Sequence, residues 1–183
     1  MSQRLSRAAF HDWSAAQPRG RFERIHGEVV AMAPERWNHA RLKARVWRAL
    51  DREIAAAGLP NQAAPDGMPD GITVEIDDDT DYEPDALINC GEPIPDEAAV
   101  APNPVVIVEV LSPSTAGIDA GGKLADYFRL TSVQHYLRVR PARPEIIHHR
   151  RAGDRIETSI VREGFVDLDP PGIRLSLREI YGP

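Results

Sequence analysis

The run Val105-Val106-Ile107-Val108-Glu109-Val110-Leu111 constrains the fold more than any other stretch of this chain. Its unbroken apolar character suits a central strand covered on both faces, and Ser112-Pro113 ends it. Glu109 is the exception. An ionised carboxylate inside a buried strand is costly unless something pairs with it. Alternation puts Val105, Ile107, Glu109 and Leu111 on one face, so Glu109 has apolar neighbours on its own side. Two readings stay open: a Glu satisfied by an arginine or by water at the strand end, or a Glu that shares a cation with another acid.

Asp85 is the second acid, at the start of the short apolar stretch Asp85-Ala86-Leu87-Ile88. Lys123 follows in Asp119-Ala120-Gly121-Gly122-Lys123-Leu124-Ala125-Asp126-Tyr127, where Asp119, Lys123 and Tyr127 share one helix face. An exposed Asp119–Lys123 helical pair is the ordinary reading of that spacing, worth about 0.3–0.5 kcal/mol. Two carboxylates and an ammonium are also what a metal-dependent phosphodiesterase needs, with the acids on the metal and the lysine near the attacking water.

The rest of the chain frames these residues. Ser6 caps a helix reaching about Ala16, with Leu5 and Phe10 at hydrophobic-staple positions. Arg21 to Ile25 and Glu28 to Ala33 read as a hairpin around His26-Gly27, closed by Pro34. Asn38 to Ala57 reads as a long helix with the stripe Leu42, Val46, Ala49, Leu50 and Ile54, ended by Gly58 and Pro60. Strands follow at Ile72 to Ile76 and Asp85 to Ile88 around an acidic turn, then at Val105 to Leu111. Next come a helix over about Asp119 to Leu130 and strands at Val133 to Val139, Glu145 to Arg150, Arg155 to Arg162 and Phe165 to Leu168. Leu175 to Ile180 reads as a last short helix. This order predicts an α/β (α+β) sandwich around one mixed sheet flanked by helices, with an N-terminal helix and hairpin, and 1–183 as a single domain.

Charge and composition exclude several classes. A net charge of −6 argues against a broad nucleic-acid-coating surface but leaves room for a local basic groove. No stretch of about 18 apolar residues suggests a membrane span. A lone Cys90 and an N-terminus without an apolar signal core give a cytoplasmic expectation. An EF-hand counted from Asp77 would need Gly where Tyr82 stands and Glu where Ile88 stands, so Asp77, Asp78, Asp79 and Asp81 read as a solvated turn. His148 and His149 point to opposite faces of a strand and cannot chelate together. Arg138, Arg140, Arg143, Arg150, Arg151 and Arg155 form a candidate phosphate stripe or plain exposed strand arginines. There is no P-loop, dinucleotide fingerprint or zinc-type cluster.

Several segments together resemble the Uma2 family of restriction-endonuclease-like proteins. They are Phe22 to Val30, Met32-Ala33-Pro34, His39 opening a helix, Tyr82-Glu83-Pro84-Asp85, Val108 to Thr115, Asp119 to Tyr127, and His135-Tyr136-Leu137 with Pro141. The resemblance implies the PD-(D/E)xK nuclease fold, with Asp85 and Glu109 as Mg²⁺ or Mn²⁺ ligands and the carbonyl of Val110 completing the shell. The usual lysine lies two residues after the acid, where Leu111 stands, and Lys123 fits the family's displaced lysine. His26, Leu137 and Arg140 depart from the family pattern, away from the expected site.

Glu28 is a candidate further carboxylate, or a solvated strand residue beside a turn. His39 is a candidate phosphate or water contact, or a helix-start residue bonding locally. The expected function is a metal-dependent endonuclease, a hydrolase acting on DNA. The rival is a catalytically inactive nuclease-fold module for DNA or protein binding. A homodimer is expected, through an edge strand at Val133 to Val139 or Glu145 to Arg150, with Tyr136, Ile146 and Ile147 supplying apolar contact.

Overall fold

The structure is a computed structural model and describes residues 4–18, 20–32, 36–65, 72–111 and 120–182. Ala33, Pro34, Ser112 to Thr115 and Asp119, all used above, lie outside the described residues. Helix α1 (Arg7–Ala15) leads into the hairpin β1 (Phe22–Ile25) and β2 (Glu28–Ala31). The Ser6 hydroxyl accepts a hydrogen bond from the Ala9 N–H, as its capping position requires. His26 and Gly27 both have positive φ, 51° and 79°, the geometry of a type I′ two-residue turn. Helix α2 (Trp37–Ala57) ends in Gly58 at φ 63°, where a left-handed residue closes the last turn.

Strands β3 (Gln62–Pro65), β4 (Val74–Asp77), β5 (Thr80–Tyr82), β6 (Ala86–Asn89) and β7 (Pro104–Val110) follow. Helix α3 (Ala120–Tyr127) connects β7 to the parallel strand β8 (His135–Val139). Then come β9 (Ile146–Ala152), β10 (Arg155–Val161), β11 (Phe165–Leu168), β12 (Ile173–Ser176) and α4 (Leu177–Tyr181).

Among the described residues three sheets form where one was expected. The main sheet is mixed and six-stranded, in the order β10-β9-β8-β7-β6-β3. The hairpin does not join it. β1 pairs instead with β5, giving a second sheet β2-β1-β5-β4, and β11 pairs with β12. The acidic turn contains a strand because Asp81 is not solvated: it meets Arg24 across the β1–β5 pairing, with Arg24 Nε donating to it at 2.8 Å and both side chains buried. β3 and β12 escape the sequence reading because each is short; β3 pairs with the distant β6, and β12 with β11, the strand just before it. Leu175 and Ser176 belong to β12, so the last helix starts at Leu177.

Alternation along β7 divides the core. Val106, Val108 and Val110 face α2, β11, β12 and α4 in one apolar cluster. Ile107 packs on the other side with Val74, Ile76, Tyr82, Tyr127 and Tyr136. The expected outer strand is corrected: β8 and β9 are interior, because β10 covers β9 along its full length. Tyr136 and Ile146 are buried in the chain's own core. His148 and His149 do part, His148 meeting His135 at 2.9 Å and His149 meeting Thr158 at 2.8 Å.

The Arg24–Asp81 pair joins β1 to β5. Asp81→Ala should lower unfolding stability by about 3–5 kcal/mol, because it leaves a buried guanidinium uncompensated. A urea titration of the two proteins checks this.

Candidate active site

Asp85 directly precedes β6, and the pairing of Ala86 with Val108 sets it beside the end of β7. One Asp85 oxygen accepts the Val110 N–H at 2.5 Å. The other lies 2.8 Å from Lys43 Nζ, which reaches over from α2. Both partners of that ion pair are buried. The Val110 carbonyl is also engaged. His39 Nε2 lies 2.6 Å from it, and since a carbonyl only accepts, Nε2 carries the proton.

Glu109 points to the other face of β7. Its Oε1 accepts from Lys123 Nζ at 3.1 Å and from the Tyr127 hydroxyl at 2.9 Å. Lys123 is not merely one half of an exposed helical pair. Its ammonium is largely buried, donates to Glu23 Oε1 at 2.7 Å, and sits 4.8 Å from the centre of the Tyr82 ring. Tyr82 in turn donates to Asp126 at 2.7 Å. Glu23 also accepts the Glu83 N–H at 3.2 Å, and Arg21 holds Glu83 from outside at 2.6 Å.

The structure therefore brings together Asp85, Glu109, Val110, Lys123 and His39. It sets Glu28 apart, on the far end of the β1–β2 hairpin, 3.8 Å from Arg4. The third carboxylate is Glu23. Sequence reading passed over it because a charged residue in a short strand looks solvated. A usable signal existed: Glu23 lies in Phe22 to Val30, one of the segments that carry the family resemblance.

Burial, then the charge of Glu109, pushes the Asp85 carboxyl up to about 6, against the pull of Lys43 and the Val110 N–H. Burial also raises Glu23; Lys123 opposes that rise and Glu109 adds to it. For Lys123, burial works against the ammonium, but Glu109 and Glu23 override it and raise its pKa well above the ordinary value. Lys123 is thus a fixed positive charge.

In this cluster Asp85, Glu109 and Glu23 face the cations Lys43 and Lys123, with Arg138 beside Glu109. Its donors are all oxygens, the set preferred by Mg²⁺ and Mn²⁺. Among the described residues no three acidic, histidine or cysteine side chains form a ready coordination shell. Lys43 holds the Asp85 oxygen for which a cation would compete. The donor chemistry fits a hard divalent ion on Asp85 and Glu109.

The proposed arginine stripe largely dissolves. Arg140, Arg143 and Arg162 converge on buried Glu145, Arg150 pairs with Glu157, and Arg151 caps the carbonyls of Phe128, Leu130 and Val133. Arg138 differs. It pairs with Glu109 in the β7–β8 register, and its buried Nε has no hydrogen-bond partner among the described residues.

A folded-state pKa raised above the unfolded value means that the folded protein holds the Asp85 proton more tightly. The resulting stabilisation is full below about 4 and is lost as pH rises through about 6. Carbon-detected NMR should find Asp85 titrating near 6. In Glu109→Gln the midpoint should fall, because the second cause of the rise is removed.

Comparisons with known proteins give the family and the fold. The family model described as "Uma2: Putative restriction endonuclease" matches residues 7–178. Two Synechocystis proteins are similar over most of their length. The protein sll1609 is 30% identical over 135 residues, covering 73% of each chain. The protein slr1290 is 26% identical over 181 residues, covering 97% of this chain and 92% of its own. Both carry the name "Uncharacterized protein". A crystal structure described as "a putative nuclease belonging to DUF820" from Anabaena variabilis shares the fold, with a TM-score of 0.75 at 15% identity over 97% of both chains. With nearly the whole chain matched by the family model, this protein belongs to the Uma2 family and has a restriction-endonuclease-like fold of mixed sheet and flanking helices.

Proposed function

We propose that this protein hydrolyses phosphodiester bonds in DNA with Mg²⁺ or Mn²⁺. The observation that carries this reading is the convergence of Asp85 and Glu109 with the buried ammonium of Lys123 at one end of β7. Asp85 and Glu109 would hold the ion, with the Val110 carbonyl beside them. A bound divalent ion supplies Lewis-acid polarisation of a phosphoryl oxygen and a more acidic water. His39 fixes the orientation of the Val110 carbonyl. Lys123 acts as an electrostatic stabiliser of developing negative charge rather than as a base, because Glu109 and Glu23 keep it protonated. Arg138, next to Glu109, is suited to receive a phosphate oxygen.

Helix α2 supports a DNA substrate. Its inner face carries His39 and Lys43 to the site. Its outer face carries Trp37, Arg41, Arg45, Arg48 and Arg52 at spacings of three or four residues. Trp37 is 78% exposed at the first turn. Arg41 and Arg48 are exposed, whereas Arg45 donates to the Tyr181 carbonyl and Arg52 is paired with Glu179. A local row of arginines on a chain of net charge −6 suits phosphates along one narrow path.

A second reading, a nuclease-fold module that binds DNA or a protein without cleaving, is favoured by one observation. Lys43 and the Val110 N–H already satisfy Asp85 without metal.

Calorimetry with Mn²⁺ separates the two. The wild type should bind and Asp85→Ala should not; equal heats would remove Asp85 from the site. Lys123 is too buried for a clean single truncation, since its loss would leave Glu23 and Glu109 facing each other. In a Glu23→Gln background, Lys123→Met should cut any cleavage by about 10²–10³-fold while the protein stays folded. Binding to duplex DNA should weaken in Arg41→Gln/Arg48→Gln, with the salt slope falling by about 2. An unchanged slope would remove the outer face of α2 from the DNA path.

A further inference from the structure

β10 is an outer strand of the main sheet, and every residue from Arg155 to Ile160 is exposed. Ile156 and Ile160 are 42% and 52% exposed, on the same face of the strand. Outer strands of monomers are usually blunted by lysine, proline, a bulge or a covering segment. β10 has neither lysine nor proline, its two charges, Arg155 and Glu157, lie on the face opposite Ile156 and Ile160, and its register with β9 runs unbroken from Arg155↔Ala152 to Val161↔Ile146.

The turn before β10 sets which backbone groups are open. Ala152 and Arg155 pair across the two residues Gly153 and Asp154, with Gly153 at φ 65°, as in a type II′ hairpin. The residues that close such a turn exchange both hydrogen bonds, and bonded pairs then alternate along the ladder. Arg155, Glu157, Ser159 and Val161 therefore bond to β9. Ile156, Thr158 and Ile160 turn their N–H and C=O groups outward.

We propose that β10 pairs antiparallel with β10 of a second copy of this chain, about a two-fold axis at Thr158, joining two six-stranded sheets into one. The sequence is self-complementary in that register. Ile156 faces the partner's Ile160, Thr158 faces its own copy, and Asp154 comes opposite the partner's Arg162. On the other face Glu157 meets Ser159 and Arg155 meets Val161, so no like charges oppose each other directly. Centring the axis on Glu157 would set that carboxylate against itself, and centring it on Ser159 would set Ile156 against Arg162.

Charge adds an independent reason. Glu145 is a single buried carboxylate holding Arg140, Arg143 and Arg162. The cluster is left with surplus positive charge, and the partner's Asp154 would bring an acid to it. This contact lies three strands from Glu109, in the lateral row Glu109, Arg138, Ile147, Ile160. Its failure would leave the nuclease reading untouched.

Sedimentation and light scattering of the full chain at tens of micromolar test the proposal. The expected mass is twice the 20.3 kDa of one chain. Ile160→Lys, which sets an ammonium against the partner's Ile156, should give a monomer with an unchanged circular-dichroism spectrum. In a Cys90→Ser background, Thr158→Cys should crosslink to itself under mild oxidation within minutes, because paired strands bring that position within disulfide range. Ser159→Cys, on the opposite face and not facing itself, should crosslink at least tenfold more slowly. A monomeric wild type overturns the proposal. So does a dimer that survives Ile160→Lys, or one whose Thr158→Cys crosslinks no faster than Ser159→Cys.

Discussion

The ammonium of Lys123, shared between Glu23 and Glu109, is the interaction on which the rest of this structure depends. Glu23 belongs to the four-stranded sheet, Glu109 to the central strand of the main sheet, and Lys123 to the helix that crosses between β7 and β8. One charge thus ties three elements that no backbone hydrogen bond joins among the described residues. Two carboxylates in such a place would repel each other, and burial makes the repulsion stronger. Tyr127 and Tyr82 complete the enclosure, the first by donating to Glu109 and the second by presenting its ring to the ammonium.

The same cluster explains why a stabilising network and a chemical site coincide here. Lys43 and His39 reach Asp85 and the Val110 carbonyl from α2, on the opposite side of β7 from Lys123. The end of β7 is therefore gripped from both faces. Burial, and after it the charge of Glu109, raises the Asp85 pKa. A buried acid that titrates far from its ordinary value, next to another acid and a fixed cation, is a common mark of functional sites. Here the competition for Asp85 lies between an ammonium already present and a divalent ion of higher charge.

The arginines show how little residue type alone says about role. Arg24 is wholly buried and joins two strands, and Arg151 caps carbonyls at the end of α3 and in the turn beyond it. Three others crowd onto Glu145. Those left to face solvent in a row lie on α2, which a stripe drawn along the later strands missed altogether. Helical periodicity would have found them, since they occupy the face opposite Leu42, Val46 and Leu50.

Sequence alone was enough for whatever rests on local pattern. The apolar run of β7, the stripe of α2, the Ser6 cap, the His26-Gly27 turn and the opposite directions of His148 and His149 all follow from periods of 2 and 3.6 and from turn chemistry. The family resemblance brought Asp85, Glu109 and Lys123 into one candidate site. Long-range pairing decided what pattern could not. It placed β1 beside β5 and so carried Glu23, rather than Glu28, to Lys123. It also laid β10 outside β9, burying the strands expected at the edge. Asp81 and Glu23 look solvated in the sequence because their charges read as exposed. Only the tertiary structure supplies Arg24 and Lys123, and a buried charge is affordable solely where its partner arrives from elsewhere in the chain.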